Sequence, residues 1–191
     1  DLWGKRVRET TSLLGQNNNK RNVLCIGPAG ENLSRMAAIM NDGQRSAARG
    51  GLGAVMGSKN LKAIVVEGSQ KPEILDQEMF KFMLYEARKL LKASPLTSQA
   101  LPEFGTPVMM NIVNTIGALP TRNHQQSQFE HAEDISGEAL TEKFLVKNDH
   151  CWACPIGCTR ITKTDKVEGE GPEFETTWAF GAQCGINDLA A

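Results

Sequence analysis

Three cysteines within eight residues, Cys151, Cys154 and Cys158, constrain this chain more than any other feature. Thiolates at these spacings can converge on one iron–sulfur cubane, which then needs a fourth ligand from elsewhere. Such a segment must run as a loop wrapped round its own sulfur atoms, and Pro155 and Gly157 suit that path because they bring few side-chain clashes. A zinc site, with His150 or a remote cysteine completing a tetrahedron, is the competing reading, and an inert structural group is the third. Cys25 and Cys184 are the remaining candidates for a fourth ligand, although a small buried hydrophobe is the commoner reading of each. An odd number of cysteines in one tight cluster is no disulfide framework. It fits a reducing compartment, so a cytoplasmic location is expected.

With 191 residues and 40% hydrophobic content the chain can fill a sizeable core. Twenty-one basic against 22 acidic residues leave a formal charge of −1, so no nucleic-acid partner is expected. No apolar run approaches the roughly 20 residues of a membrane-crossing helix, so no membrane partner is expected either. The chain opens Asp1-Leu2-Trp3-Gly4 without a leader and ends Leu189-Ala190-Ala191, which predicts a piece of a longer protein.

Composition shifts near Gly68-Ser69-Gln70-Lys71-Pro72, which predicts two parts, 1–70 and 71–191. The fold class is α+β: a glycine-rich, strand-containing first part followed by a mostly helical second part. Asn22–Gly27 and Lys62–Gly68 read as buried strands, while Leu33–Met40 fits a strand or a short helix. From Pro72, apolar residues from Met79 to Leu91 recur at helical spacing until Pro95. Pro107–Ile116 is a second helix with Gly117 as its cap, and Ser136–Val146 is a third. A fourth opens at Gly171-Pro172 and places Phe174, Trp178 and Ala182 on one side as far as Gly185.

Glycines at 50, 51, 53 and 57 allow main-chain amides to lie against a flat polar ligand, and Arg49, Lys59 and Lys62 can supply bonds to phosphate. The bland alternative is that these glycines answer backbone demands alone. Glu173 and Glu175 stand in the first turn of a predicted helix, where carboxylates favour the dipole in any case. His124 and His131 read as surface residues, and Arg122 as a solvated loop arginine or one facing a cavity.

Ile26-Gly27-Pro28-Ala29-Gly30-Glu31-Asn32, then Arg49-Gly50-Gly51-Leu52-Gly53-Ala54-Val55-Met56-Gly57-Ser58-Lys59-Asn60-Leu61-Lys62, then the cysteine trio followed by Glu170-Gly171-Pro172-Glu173-Phe174-Glu175-Thr176, resemble the aldehyde ferredoxin oxidoreductase family in order along nearly the whole chain. The resemblance implies a fragment of a larger multi-domain enzyme, with 1–70 the C-terminal part of a pterin-binding, β-rich domain and 71–191 the N-terminal part of a helical domain. It implies a tungsten or molybdenum bis-pterin cofactor, magnesium at the pterin phosphates and a [4Fe-4S] cluster on Cys151, Cys154 and Cys158. It further implies an aldehyde substrate, ferredoxin or a similar electron acceptor, and the homodimer that family members often form. Residues carried over are Arg49, Gly50, Gly51 and Asn32 beside the pterin and Glu175 as the active-site carboxylate. The family's later pterin-binding segment, active-site histidine and fourth cluster cysteine have no counterpart here, so the fragment alone is expected to be inactive. The rivals are an iron–sulfur electron-transfer module without catalysis and a zinc-stapled structural domain.

Overall fold

The computed structural model describes residues 1–15, 21–43 and 45–190, and the chain divides into two compact units, 1–73 and 74–191. In the first unit α1 (Val7–Gly15) precedes β1 (Arg21–Cys25), α2 (Pro28–Glu31), β2 (Ile39–Asn41), β3 (Arg45–Ala47), α3 (Leu52–Ser58) and β4 (Ala63–Glu67). The strands form one antiparallel sheet in the order β3-β2-β1-β4. β1 and β4 pair from Arg21 opposite Glu67 to Cys25 opposite Ala63, and Arg21 Nε meets Glu67 at 2.8 Å. Successive side chains alternate across β1, so Val23 and Cys25 share one buried face, while Arg21 and Asn22 at the start of the strand are both exposed. α1 lies against this strand, with Thr10 buried and Thr11 Oγ1 3.6 Å from Cys25 Sγ.

Both expected strands form, but β4 is not buried as expected, since Ile64, Val65, Val66 and Glu67 are exposed; the ambiguous 33–40 segment contributes only its last two residues to β2. α3, inside the glycine-rich stretch, lies close against neighbouring main chain. A Cβ on Gly57 would stand 1.9 Å from the Gly30 carbonyl oxygen, and one on Gly53 would stand 2.6 Å from that of Ala38. Here the glycines chiefly admit neighbouring backbone.

Beneath this contact is an ion pair. Lys62 Nζ donates to Glu31 and, at 2.6 Å, to the Lys5 carbonyl, while both Glu31 oxygens accept from the Gly4 amide at 2.9 and 3.0 Å. The two charged side chains are only 8% and 4% exposed, so Lys62, read from sequence as a phosphate ligand, is a buried tie between three segments.

The second unit contains α4 (Gln77–Ala93), α5 (Leu101–Phe104), α6 (Met109–Thr115), α7 (Gly137–Phe144), β5 (Leu145–Asp149), β6 (Thr159–Lys163), β7 (Glu168–Glu170) and α8 (Phe174–Thr176). The cap of α4 is Asp76, whose side chain accepts from the Met79 amide at 2.8 Å, so Pro72 lies outside the helix it was expected to open. α7 starts where Ser136 caps it but ends at Phe144, because Leu145 and Val146 enter β5. The antiparallel meander β5-β6-β7 was not read from the sequence. The core gathers Met110, Leu119, Phe129, Ala132, Ile135 and Ala182, with Phe174 and Trp178 packed on it, so the three residues expected to share one side do so. They belong to a run that loosens after α8 into a wide turn over Thr177–Gly181 and stops at Gly185, whose φ is +71°. No helix among the described residues is long and apolar enough to cross a membrane.

Candidate functional site

The cysteines lie in the loop between β5 and β6, whose base is closed by the pairs Asp149 with Thr159 and Asn148 with Arg160. Inside it the Cys154 amide donates to the Cys151 carbonyl at 3.0 Å, and left-handed residues at Ala153 (φ +56°) and Gly157 (φ +71°) turn the chain back. Cys151 is exposed, Cys154 and Cys158 are half-buried, and all are free thiols. Burial, then the charges of Glu173, Cys154 and Cys151, push the Cys158 thiol up from its ordinary value. The trio therefore shares one electrostatic environment, although no three His, Cys, Asp or Glu side chains among the described residues are drawn together as a ligand shell. The chemistry of the donors fits a thiophilic metal group, since such a group would neutralise thiolates that otherwise repel one another and Glu173.

His150 Nδ1 turns to the Cys151 carbonyl at 2.9 Å rather than to a sulfur. Cys184 is exposed and donates to the Ala179 carbonyl at 3.3 Å rather than joining the trio, and Cys25 is buried within the first unit.

Glu173 and Glu175 face different surroundings although both stand at the start of α8. Glu173 occupies the cap position without a side-chain cap bond and acts on Cys158 through its charge. Its carbonyl takes the amides of Thr176 and Thr177, both at 3.0 Å. Glu175 is exposed and makes no hydrogen bond or ion pair among the described residues. An apolar cavity of about 340 Å³ opens beside the same run, lined by Ile135, Pro172, Thr176, Thr177, Phe180 and Ile186, and Glu175 is not part of its wall.

In the first unit the Gly53 amide donates to the Ala37 carbonyl at 2.9 Å, which ties α3 to the segment between α2 and β2. Gly50 and Gly51 have φ of +83° and +68°, a region that favours glycine. They differ in their surroundings. A Cβ on Gly51 would stand 2.5 Å from the Arg35 carbonyl oxygen, whereas one on Gly50 would meet nothing within 4 Å. Gly50 thus leaves a bare stretch of main chain open, with the exposed Arg49 unpaired beside it among the described residues. Asn32 caps α2 by donating from Nδ2 to the Pro28 carbonyl at 2.8 Å, which leaves its Oδ1 as the group to offer a ligand.

Two features escaped sequence reasoning. Arg122, Asn123 and His124 form three successive left-handed residues, whose main-chain amides donate hydrogen bonds to Ala182 and Gln183, while nearby Trp178 Nε1 donates to the Pro120 carbonyl at 2.8 Å. Arg122 itself pairs with Glu130 and Gln126, and this pairing holds the Glu130 carboxyl at about 2. The second is Arg160, two residues past the third cysteine of the trio, which is buried with its Nε lacking any partner. Nothing in the run Thr159-Arg160-Ile161-Thr162 marks it for burial, since the residues do not alternate between polar and apolar.

Comparison with known proteins places these elements. Residues 83–191 match the family model described as aldehyde ferredoxin oxidoreductase, domains 2 and 3, and residues 1–68 match that of the same family's N-terminal domain. The tungsten-containing aldehyde ferredoxin oxidoreductase of Thermococcus kodakarensis is 51% identical and that of Pyrococcus abyssi 50%, each over all of this chain and 32% of the relative. The chain thus spans about a third of the length of these relatives. A solved structure titled active site complex BamBC of benzoyl coenzyme A reductase, in complex with 1,5-dienoyl-CoA, superposes with a TM-score of 0.72 at 25% identity over 98% of this chain and 30% of its own. With both units matched in order and half of all positions shared with such relatives, the chain belongs to the aldehyde ferredoxin oxidoreductase family.

Proposed function

We propose that this chain is part of a tungsten-dependent oxidoreductase that converts aldehydes to carboxylic acids and passes the electrons through a [4Fe-4S] cluster to ferredoxin. The observation that carries the reading is the 51% identity, across the entire chain, to a relative named for tungsten, aldehyde and ferredoxin. The bound tungsten-pterin group would supply the two-electron chemistry, in which an aldehyde and water become a carboxylic acid, two protons and two electrons.

The chain's own residues bind and position. Cys151, Cys154 and Cys158 hold the cluster, with the fourth ligand supplied from elsewhere. The open main chain at Gly50 would let the pterin lie close, Gly51 fixes the turn, and the free guanidinium of Arg49 would pair with a phosphate of the magnesium-bearing cofactor. Asn32 offers its carbonyl oxygen to the same group. Glu175, exposed and unpartnered among the described residues, is free to accept a proton released from the aldehyde, whereas Glu173 acts toward the cysteine loop. A homodimer in the cytoplasm is the expected setting.

Metal analysis of the full-length protein, purified without oxygen, tests this reading. Tungsten, pterin, iron and acid-labile sulfide are expected together. Arg49→Ala should lower tungsten while leaving iron in place, and iron and sulfide without tungsten or pterin would identify an electron-transfer module instead. A colourless protein with zinc alone would refute the cluster.

A further inference from the structure

Arg160 is a charge without an evident counterpart. It is 2% exposed on β6, where it donates from Nη2 to the carbonyls of Leu101, at 2.8 Å, and Pro102. Nη1 reaches only the Thr159 carbonyl at 3.5 Å, and Nε has no partner. Neutral carbonyls satisfy two donor directions but do not balance a full positive charge, and burying an unbalanced charge is costly. No carboxylate pairs with it among the described residues, and the cysteine loop ends two residues before it.

Gly105 shows how close the two lie. A Cβ there would stand 3.0 Å from the Cys158 carbonyl oxygen and 3.2 Å from Arg160 Nε, so the guanidinium and the end of the cysteine loop converge on one spot. A [4Fe-4S] cluster bound by thiolates is net negative and gains one further negative charge on reduction. A fixed cation in a dry site favours that reduced form over the oxidised one.

Resting on the cluster reading above, we propose that Arg160 is the buried counter-charge of the iron–sulfur cluster and raises its reduction potential. It acts through the cluster and is a positioning residue rather than a catalytic one. The competing role is purely structural, a fork that ties β6 to the carbonyls at 101 and 102.

Redox titration of the full-length, anaerobically purified protein separates the two, with dithionite giving the single electron that the cluster takes and paramagnetic resonance counting reduced clusters. Arg160→Met should lower the reduced-to-oxidised ratio at fixed potential at least tenfold, a downward shift of about 59 mV or more. Arg160→Lys, which keeps the charge but not the fork, should stay within threefold of wild type. Leu101→Glu leaves Arg160 in place and sets a carboxylate on the residue whose carbonyl it holds, so it should also lower the ratio. That variant decides the matter if Arg160→Met fails to assemble. An unchanged ratio in a variant with full iron and sulfide, or an equal fall in Arg160→Lys, overturns the proposal. Absence of iron and sulfide from the wild type would instead remove the cluster reading on which it rests.

Discussion

Replacing Gly57 by alanine tests whether the α2–α3 contact shapes the glycine-rich segment. In an isolated helix the change would stabilise by about 1 kcal/mol, because alanine is the better helix former. In this chain the new Cβ would stand 1.9 Å from the Gly30 oxygen, and restoring ordinary contact at 3.4 Å requires the two backbones to part by about 1.5 Å. The obstacle is main chain, and α2 cannot retreat freely because Glu31 is bound to both Gly4 and Lys62. Overpacking against so fixed a neighbour costs about 3 kcal/mol, the upper end of the usual range, so the net loss is about 2 kcal/mol. Hydrogen exchange followed by mass spectrometry on the full-length protein reads this as roughly thirtyfold faster exchange across peptides covering α2, α3 and β4. Gly50→Ala is the control, since its Cβ meets nothing and its cost is the left-handed backbone alone, confined to the residues around 50. Unchanged exchange in Gly57→Ala, or the same spread of effect from Gly50→Ala, would refute the reasoning.

Lys62→Met should cost about 3–5 kcal/mol in urea unfolding of the first unit, because it strands a buried Glu31 carboxylate, and adding Glu31→Leu should recover much of the loss. Glu130 is held at about 2 against an ordinary 4.5 by Arg122, so the stabilisation from this pair is complete above about pH 5 and is lost as pH falls toward 2. A carboxyl titration by NMR should find Glu130 moved upward in Arg122→Gln, and an unmoved value would dismiss the pairing. Glu175→Gln in the full-length protein should keep its metals yet lose about a hundredfold in aldehyde turnover, whereas Glu173→Gln should retain turnover; the reverse result would exchange the two roles.

Strand positions β1 and β4 were readable because each is a short β-prone run between turn residues, and the Phe174, Trp178 and Ala182 stripe because it follows the helical repeat. β5 and β6 were hidden for a physical reason: their residues Lys147, Asn148, Asp149 and Arg160 are polar, so the antiparallel pairing has no alternating apolar pattern to announce it. The purpose of Gly53 and Gly57 was equally illegible, since a glycine looks the same in sequence whether it admits a ligand or another backbone. Lys62 and Arg160 illustrate the limit for charges. Burial of a cation depends on what the fold brings to it, namely Glu31 from 31 positions away in one case and the carbonyls of 101 and 102 in the other.

The Gly4, Glu31 and Lys62 junction also bears on the order in which the nascent chain can acquire structure. Synthesis delivers the carboxylate well before the lysine, and β1 before the strand β4 that hydrogen-bonds one of its edges. Until residue 62 emerges, closing the N-terminal segment over Glu31 would entomb an uncompensated charge, so an early, partly closed form is penalised rather than favoured. The first unit should therefore settle in one cooperative step once β4 has been made, with the lysine acting as the latch that makes closure worthwhile.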